Sequence, residues 1–384
     1  RRWYLARAAM WQGAVALSTL APLTVNASEA LSNSFTPTGY VLRLRRVRNS
    51  SVRSIISGLT MPRLCACGII ALRFEKTISA LGHSLPMSLK ERIIVAYART
   101  KLSSRKVSEN VENPLHDWVE LKVRNTFKHD EGFRKALGRA TLGEIDRRTF
   151  EEYQLYRFRR QMAYVMENSP YYQKAYAEAG VRPEDIRTMD DLDKVPLTDP
   201  NALAEEPFLF LCLSQSKIAR TFSTSGTSGK PKRLFYTNDD LLNIVDSIAA
   251  ALRSAGLKSD ETLHIMFPAV VAWDPSLMLE SACKVAGLRS VVCSDVNVEE
   301  QMRVMREQQA RMIIGLTSFI YRVTVLARDR FDLRALGLKA IICSSEPLSE
   351  AVRHELEDAW GCKCLSQYGL TEMGLATTIE CFVQ

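Results

Sequence analysis

The sequence has few cysteines, and their number and spacing favour neither a disulfide framework nor a zinc knuckle. Nine cysteines in 384 residues are too sparse for a secreted disulfide scaffold. The close pairs Cys65/Cys67 and Cys362/Cys364 have one intervening residue, not the two to four of a zinc knuckle. Internal repeats and low-complexity tracts are also missing, which argues against a repeat protein or a disordered chain. We therefore expect a globular protein with reduced thiols, located in the cytoplasm.

Acidic residues are scarce in the first part of the chain. Residues 1–110 hold 17 Lys and Arg against 4 Asp and Glu, whereas residues 111–384 hold 34 against 39. The net charge of +8 therefore belongs to the N-terminal quarter. The remainder offers no electrostatic case for binding a polyanion, so we predict no nucleic-acid partner.

The N-terminal quarter also contains a run without charge, Ala8–Ser28, after basic residues at positions 1, 2 and 7. This pattern resembles a signal peptide, but Gln12 and Pro22 interrupt the run, and no stable membrane span is expected. We divide the chain into a basic segment, 1–110, and a core, 111–384. The basic segment is unassigned, and up to about residue 28 it is either signal-like or foreign to the natural protein, with Met87 as an alternative start.

Hydrophobic periodicity in the core predicts an α/β fold. Helical spacing at Glu151–Glu167 and Tyr171–Ala179 precedes an alternation of short β-branched runs with helices, which implies a largely parallel sheet covered on both faces. Ligands of such sheets bind beyond the carboxyl ends of the strands. The candidate strands are Glu261–Phe267, Ser290–Cys293, Met312–Leu316 and Lys339–Cys343. The candidate helices are Leu277–Ala286, Val298–Gln309, Phe319–Arg328 and Ser349–Trp360.

One loop, Ser223–Lys232, consists entirely of Gly, Ser, Thr, Lys and Pro. Its glycines allow backbone N–H groups to turn inward, and its hydroxyls and lysines suit a polyphosphate. A Walker A motif needs glycine where this chain has Thr224 and Ser or Thr where it has Pro231, which disfavours a P-loop nucleoside triphosphatase. By composition alone, a flexible surface linker remains the alternative.

Two further loops follow candidate strands. Tyr368–Glu372 comes after a short strand candidate, Cys362–Ser366. A carboxylate there is a natural magnesium ligand where phosphates gather, and a tyrosine can stack on a planar base. Ser344–Ser349 connects a strand to a helix that Ser349 would cap. Taken singly, each of these loops is explained more simply as an ordinary turn or connection.

In this order, the three loops resemble the signatures of the adenylate-forming (AMP-binding) superfamily. Thr224–Lys232 is similar to its phosphate-binding segment, Ser345–Pro347 to its adenine segment and Tyr368–Glu372 to its Tyr-Gly-x-Thr-Glu motif. The preceding segments Asn168–Tyr172 and Val195–Thr198 resemble phenylacetate–CoA ligases. The resemblance covers about residues 145–384 and implies the large N-terminal core of the adenylate-forming fold.

The resemblance implies that ATP activates a carboxylic acid, aryl or aromatic, to an acyl-adenylate, whose acyl group then passes to coenzyme A. It assigns catalysis to Lys232, Thr371 and Glu372, with Glu372 holding Mg²⁺. The expected partners are the carboxylic acid, coenzyme A and, as one option, a second copy of the chain. The implied nucleotide-binding residues are Thr224, Ser225, Gly226, Thr227, Ser228, Gly229, Lys230, Ser345, Glu346, Pro347, Tyr368 and Gly369.

The sequence departs from the family pattern in two ways. Ser344 and Ser345 replace a segment that is commonly rich in Gly and Ala. The sequence ends at Gln384, and the resemblance therefore leads us to expect that the ribose-binding aspartate, the hinge and the small C-terminal domain with its adenylation lysine are missing. We therefore expect a fragment whose activity is severely reduced or lost.

Aromatic residues Phe267 and Trp273 are candidates for a wall of the acyl pocket.

Other functions are compatible with the same loops. An adenylyltransferase would stop at the nucleotidyl product, and an acyl-carrier or acyl-protein ligase would pass the acyl group to a protein. A non-catalytic nucleotide-binding fragment is favoured by the missing C-terminal part and disfavoured by the intact phosphate segment and Glu372.

Overall fold

A mostly parallel sheet lies at the centre of the structure, a computed structural model that describes residues 89–108, 113–224, 230–268, 275–295, 297–374 and 378–380. Helices cover the sheet, a two-stranded hairpin accompanies it, and a group of helices precedes both in the chain. The predicted α/β fold is confirmed.

The secondary structure has the following bounds. The helices are α1 Leu89–Lys101, α2 Pro114–His129, α3 Glu131–Leu137, α4 Arg147–Asn168, α5 Pro170–Ala179, α6 Pro200–Glu205, α7 Asn238–Ser254, α8 Pro275–Ala286, α9 Val298–Glu307, α10 Thr317–Ala327 and α11 Glu350–Trp360. The strands are β1 Arg220–Ser223, β2 Arg233–Tyr236, β3 Thr262–Met266, β4 Arg289–Val292, β5 Ala310–Leu316, β6 Ala340–Ser344, β7 Lys363–Tyr368 and β8 Thr378–Ile379.

The large sheet has the strand order β4-β3-β5-β6-β7-β8, in which the first five strands are parallel and β8 is antiparallel to β7. The five predicted strands and the four helices among them are confirmed, with bounds that shift by a few residues. Helix α9 ends at Glu307, two residues earlier than predicted. Gln309 has a φ of 50°, in the left-handed region, which turns the chain from the helix into β5.

The sheet is buried on both faces because alternate strand residues point to opposite layers. Ile314 of β5 and Ile342 of β6 pack with residues of α7 and α8. Their neighbours Ile313 and Ile341 pack with residues of α9, α10 and α11. This doubly covered arrangement leaves the loops at the strand ends as the place where polar side chains can meet.

The predicted lead-in helices are also confirmed, as α4 and α5. Ser169 separates them: it follows the last residue of α4 and accepts a hydrogen bond at its Oγ from Tyr172 N (3.5 Å), as the N-cap of α5. Its hydroxyl also donates to Leu209 O at 2.9 Å. The serine before Pro170 therefore both ends one helix and begins the next.

Helices α1 and α2 are tied to the helices that cover the sheet. Arg99 Nη2 of α1 donates to Lys284 O of α8 at 2.7 Å. The buried carboxylate of Asp246 on α7 accepts hydrogen bonds from Ser104 N (2.8 Å) and Trp118 Nε1 (2.9 Å), and it pairs with Lys122 Nζ at 2.9 Å. Burial alone would raise the pKa of Asp246, but Lys122 and the hydrogen bonds outweigh burial and lower it.

The domain boundary at 110/111 stays a prediction, although residues on its N-terminal side make these contacts. The signal-like run and Met87 lie outside the described residues. Within the described ranges, each helix is too short or too polar to cross a membrane.

A buried histidine, His264 of β3, makes the stability of this fold dependent on pH. Its Nε2 lies 2.7 Å from Gln301 Oε1 of α9, and Gln301 Nε2 donates to Cys293 O at 3.0 Å. Burial, only partly offset by Gln301, lowers the pKa of His264 from its ordinary 6.5 to about 4. The imidazole is therefore neutral in the folded protein at neutral pH.

We expect the free energy of unfolding to decrease as the pH falls from about 6.5 to about 4. In that range the unfolded chain binds a proton at His264 and the folded chain does not, at a cost of about 3 kcal/mol in total. Urea unfolding at several pH values would measure this slope. The neutral variant His264→Asn should flatten it, whereas His354→Asn, on the exposed surface, should retain it. Equal slopes for all three proteins would contradict the assignment.

Candidate functional site

The phosphate segment is the connection of the hairpin formed by β1 and β2. Its ends are fixed by two hydrogen bonds: Thr224 N donates to Lys232 O, and Lys232 N donates to Thr224 Oγ1, both at 3.0 Å. The hairpin was not predicted from the sequence. Closing the segment at its base brings Thr224 and Lys232 together as expected for one binding loop. The predicted residues Ser225, Gly226, Thr227, Ser228 and Gly229, together with Trp273, lie outside the described residues.

Two lysines of this loop pair with carboxylates of other elements. Lys232 Nζ forms an ion pair with Glu372 Oε1, and about a quarter of each side chain is exposed. Lys230 Nζ pairs with Glu205 Oε1, at the end of α6, at 3.1 Å, and both side chains are exposed. The structure thus brings together Lys232 and Glu372, which are 140 positions apart in the sequence. A cation suited to phosphate and a carboxylate suited to a metal ion share one site.

A second contact joins the same two regions. The phenol of Tyr236, at the end of β2, donates a hydrogen bond to Thr371 O. Burial, followed by the negative charge of Glu372, raises the pKa of Tyr236, so the phenol keeps its proton and acts as a donor. Tyr236 was not predicted as a site residue. Its position four residues after Lys232 is the sequence signal that could have pointed to it.

The adenine segment follows β6 and is held by its own side chains. Glu346 accepts hydrogen bonds at the start of α10 from Ser318 N (2.7 Å) and Ser318 Oγ (3.0 Å). This carboxylate therefore caps a helix N-terminus, which accounts for its side chain more directly than a contact with a base does. Ser345 has a φ of 66°, the left-handed region that favours glycine. Serine thus occupies a strained position where the family commonly has Gly or Ala.

The tyrosine motif follows the neighbouring strand, β7. Since β6 and β7 are parallel and Ser344 is in register with Gln367, the adenine segment and Tyr368 leave the sheet side by side. Ser344 Oγ donates to Gln367 Oε1 at 2.7 Å, which links the two strand ends. Tyr368 is 42% exposed, and Gly369 and Pro347 lie in the same two loops. Because the carboxyl ends of neighbouring parallel strands lie together, these residues line one side of the candidate site.

Phe267 occupies a different environment from the other predicted residues. It follows β3 and is 2% exposed within the core between the sheet, α7 and α8. Its role as a wall of an acyl pocket remains a prediction.

Glu372 is the residue that could hold a magnesium ion. Within the described ranges, no group of three or more His, Cys, Asp or Glu side chains is arranged to bind a metal. A single carboxylate beside a lysine whose charge suits phosphate nevertheless fits Mg²⁺, because this ion keeps several waters and takes substrate phosphates as its remaining ligands. The donor set is therefore compatible with a metal that arrives together with a nucleotide.

Comparison with known proteins identifies the class to which this fold and these loops belong. The model of the AMP-binding enzyme family matches residues 173–383, and the chain belongs to that family. A crystal structure of 2-hydroxyisobutyryl-CoA ligase in an open conformation, with 2-HIB-AMP and CoA, shares the fold with a TM-score of 0.55 and 17% identity over 63% of this chain and 57% of that one. The predicted family is thereby confirmed.

Curated relatives named phenylacetate–coenzyme A ligase are similar to the chain over part of its length. It is 28% identical over 233 residues to phenylacetate–coenzyme A ligase of Pseudomonas putida, covering 60% of this chain and 53% of the relative. It is 30% identical over 233 residues to the ligase of the same name from Aromatoleum evansii, covering 59% and 52%. The chain spans about half the length of the curated relatives it matches. The predicted resemblance to phenylacetate–CoA ligases is confirmed.

Proposed function

We propose that this chain carries the adenylating core of an AMP-forming acid–CoA ligase. The observation that supports this most strongly is the meeting of Lys232 and Glu372 beside the paired ends of β6 and β7. In the first half-reaction, a carboxylate oxygen attacks the α-phosphorus of ATP, an O–P bond forms and pyrophosphate leaves. In the second, the sulfur of coenzyme A attacks the acyl carbon, AMP leaves and the thiol proton is released.

The first half-reaction brings a carboxylate close to the negatively charged triphosphate of ATP. Its barrier therefore falls when the reactants are positioned and their charge is neutralised, and no protein nucleophile is needed. The residues of the site suit these two tasks. In this proposal, Thr224–Lys232 hold the β- and γ-phosphates, Thr371 contacts the α-phosphate, and Tyr368 stacks on adenine beside Ser345–Pro347. Glu372 would hold Mg²⁺, which when bound neutralises phosphate charge.

We further propose an aryl-acetic or aromatic carboxylic acid as the substrate. The support is the name of the curated relatives, phenylacetate–coenzyme A ligase. Screening acids for ATP-dependent pyrophosphate release, with a chain extended to the full length of the relatives, would test the substrate class. Aliphatic acids alone as substrates would contradict it.

We expect the chain to bind ATP and Mg²⁺ together, and calorimetry on the full chain would measure this. Lys232→Ala should weaken ATP binding by about tenfold or more, because a hydrogen bond to a charged group contributes about 1.5–3 kcal/mol. Glu372→Ala should abolish the gain in affinity that Mg²⁺ provides. Without Mg²⁺, the same variant should bind ATP at least as well as the wild type, because Lys232 loses its competing carboxylate.

The matched control is an ion pair at the amino-terminal ends of two strands of the same sheet, opposite the ends that carry the site. Lys339 and Glu261 precede β6 and β3, and they pair with similar exposure. Lys339→Ala and Glu261→Ala should leave ATP affinity unchanged. A folded wild type without ATP binding at millimolar concentration, or a Glu372→Ala variant that keeps its full magnesium dependence, would contradict the proposed site.

A further inference from the structure

Tyr236 lies where the phosphate loop meets the turn that carries Thr371 and Glu372. It is the fourth residue after Lys232, and its phenol donates to Thr371 O while Lys232 pairs with Glu372. Two polar contacts therefore join the hairpin to this turn. The ion pair joins Lys232 and Glu372, the side chains that the proposed function assigns to phosphate and magnesium. The hydrogen bond joins the main chain of Thr371 to Tyr236, a residue to which the proposed function gives no role.

The tyrosine ring is held in one place by its packing. Only 9% of Tyr236 is exposed, and its ring meets Phe222 of β1 edge to face, with 5.2 Å between ring centroids. The main-chain carbonyl of Tyr236 accepts a hydrogen bond from Ala219 N at 2.8 Å, which fixes the backbone at the end of the hairpin. A phenol on such a rigid support sets the position of the carbonyl to which it donates.

The two contacts respond differently to a nucleotide. In the proposed complex, Lys232 turns to the phosphates and Glu372 to Mg²⁺, so their mutual ion pair is lost. The hydrogen bond of Tyr236 goes to a main-chain carbonyl, and ligand binding does not compete for it. After binding, this bond continues to connect the two loops.

We propose that Tyr236 is a positioning residue that holds the Thr371–Glu372 turn at the separation from Lys232 that a magnesium–nucleotide complex requires. The inference rests on the proposed function of the site. Tyr236 acts through the placement of Glu372 and does not itself contact the nucleotide. Its contribution should therefore be largest when Mg²⁺ is present, because Glu372 is the residue that would hold the ion.

The test is the affinity of the full chain for ATP, measured by calorimetry with Mg²⁺ and with EDTA. Tyr236→Phe removes one hydroxyl and keeps the ring. We expect this variant to bind ATP with Mg²⁺ about tenfold more weakly than the wild type, as the loss of one buried hydrogen bond implies. With EDTA, its affinity should remain within about twofold of the wild type.

A second comparison separates positioning from a general structural role. In a Glu372→Gln background, Tyr236→Phe should change ATP affinity by less than about twofold with Mg²⁺, because the group that it positions is already neutralised. Tyr156→Phe is the matched control, since it removes another partly buried phenol, on α4, that donates to Asp130 Oδ1 at the start of α3 at 2.7 Å. It should leave both affinities unchanged.

The outcomes distinguish this inference from the proposed function. Equal affinities of wild type and Tyr236→Phe for ATP with Mg²⁺ would overturn the inference alone. So would an equal loss with Mg²⁺ and with EDTA, or an undiminished effect in the Glu372→Gln background. A folded wild type that binds no ATP would overturn the proposed function and this inference with it.

Discussion

Asp246→Ala is expected to destabilise the protein by about 3–5 kcal/mol, the usual cost of removing one partner of a buried ion pair. Asp246 lies on α7 with a nearly inaccessible carboxylate that compensates the ammonium of Lys122 and accepts from Ser104 N and Trp118 Nε1. Its removal leaves a buried charge and two buried donors without their acceptor. The midpoint of urea unfolding should fall accordingly, and the residues around Ser104 should become more sensitive to protease.

The control for this prediction is an exposed ion pair of similar length. Glu131 and Lys135 on α3 are 2.8 Å apart and largely exposed, so Glu131→Ala should change stability by less than about 1 kcal/mol. Asp246→Asn, which keeps the shape of the side chain, tests the charge separately and should also destabilise. If Asp246→Ala unfolded at the same urea concentration as the wild type, the attachment of Ser104 and α2 through this carboxylate would be wrong.

Gly315→Ala is the second substitution with a large expected effect, about 3 kcal/mol of destabilisation. Gly315 lies in β5 beside the end of β3, and an added Cβ would overlap the carbonyl oxygen of Met266 and lie 2.9 Å from its carbonyl carbon. These atoms belong to the backbone of a buried strand, so relief requires β3 and β5 to move apart. Urea unfolding would measure the loss.

The same substitution at Gly143 provides the control. A Cβ at Gly143 would meet no atom within 4 Å, and Gly143→Ala should change stability by less than about 0.5 kcal/mol. A Gly315→Ala variant as stable as its Gly143 counterpart would show that the two strands can separate without cost, contrary to the close packing of the sheet.

Much of the fold was predictable from the sequence because its signals are local. Short β-branched runs between longer helical patterns placed β3 to β7 and their helices within a few residues of the observed bounds. The hairpin was not predicted, since four-residue strands beside a loop rich in Gly and Ser carry little periodicity. Helix α7 was not predicted either. The N-terminus of α7 does carry a local signal, the capping box of Thr237 and Asp240.

The sequence by itself determined the family, the doubly covered parallel sheet and the loops in which its site residues lie. Residue types, their order along the chain and their spacing carry that information. Only the tertiary structure decided which side chains meet: Lys232 with Glu372, Tyr236 with Thr371 O, Glu346 with the start of α10, and Asp246 with Lys122. The physical reason is that these partners are separated by 28 to 140 positions, so their contact depends on strand order, register and helix packing.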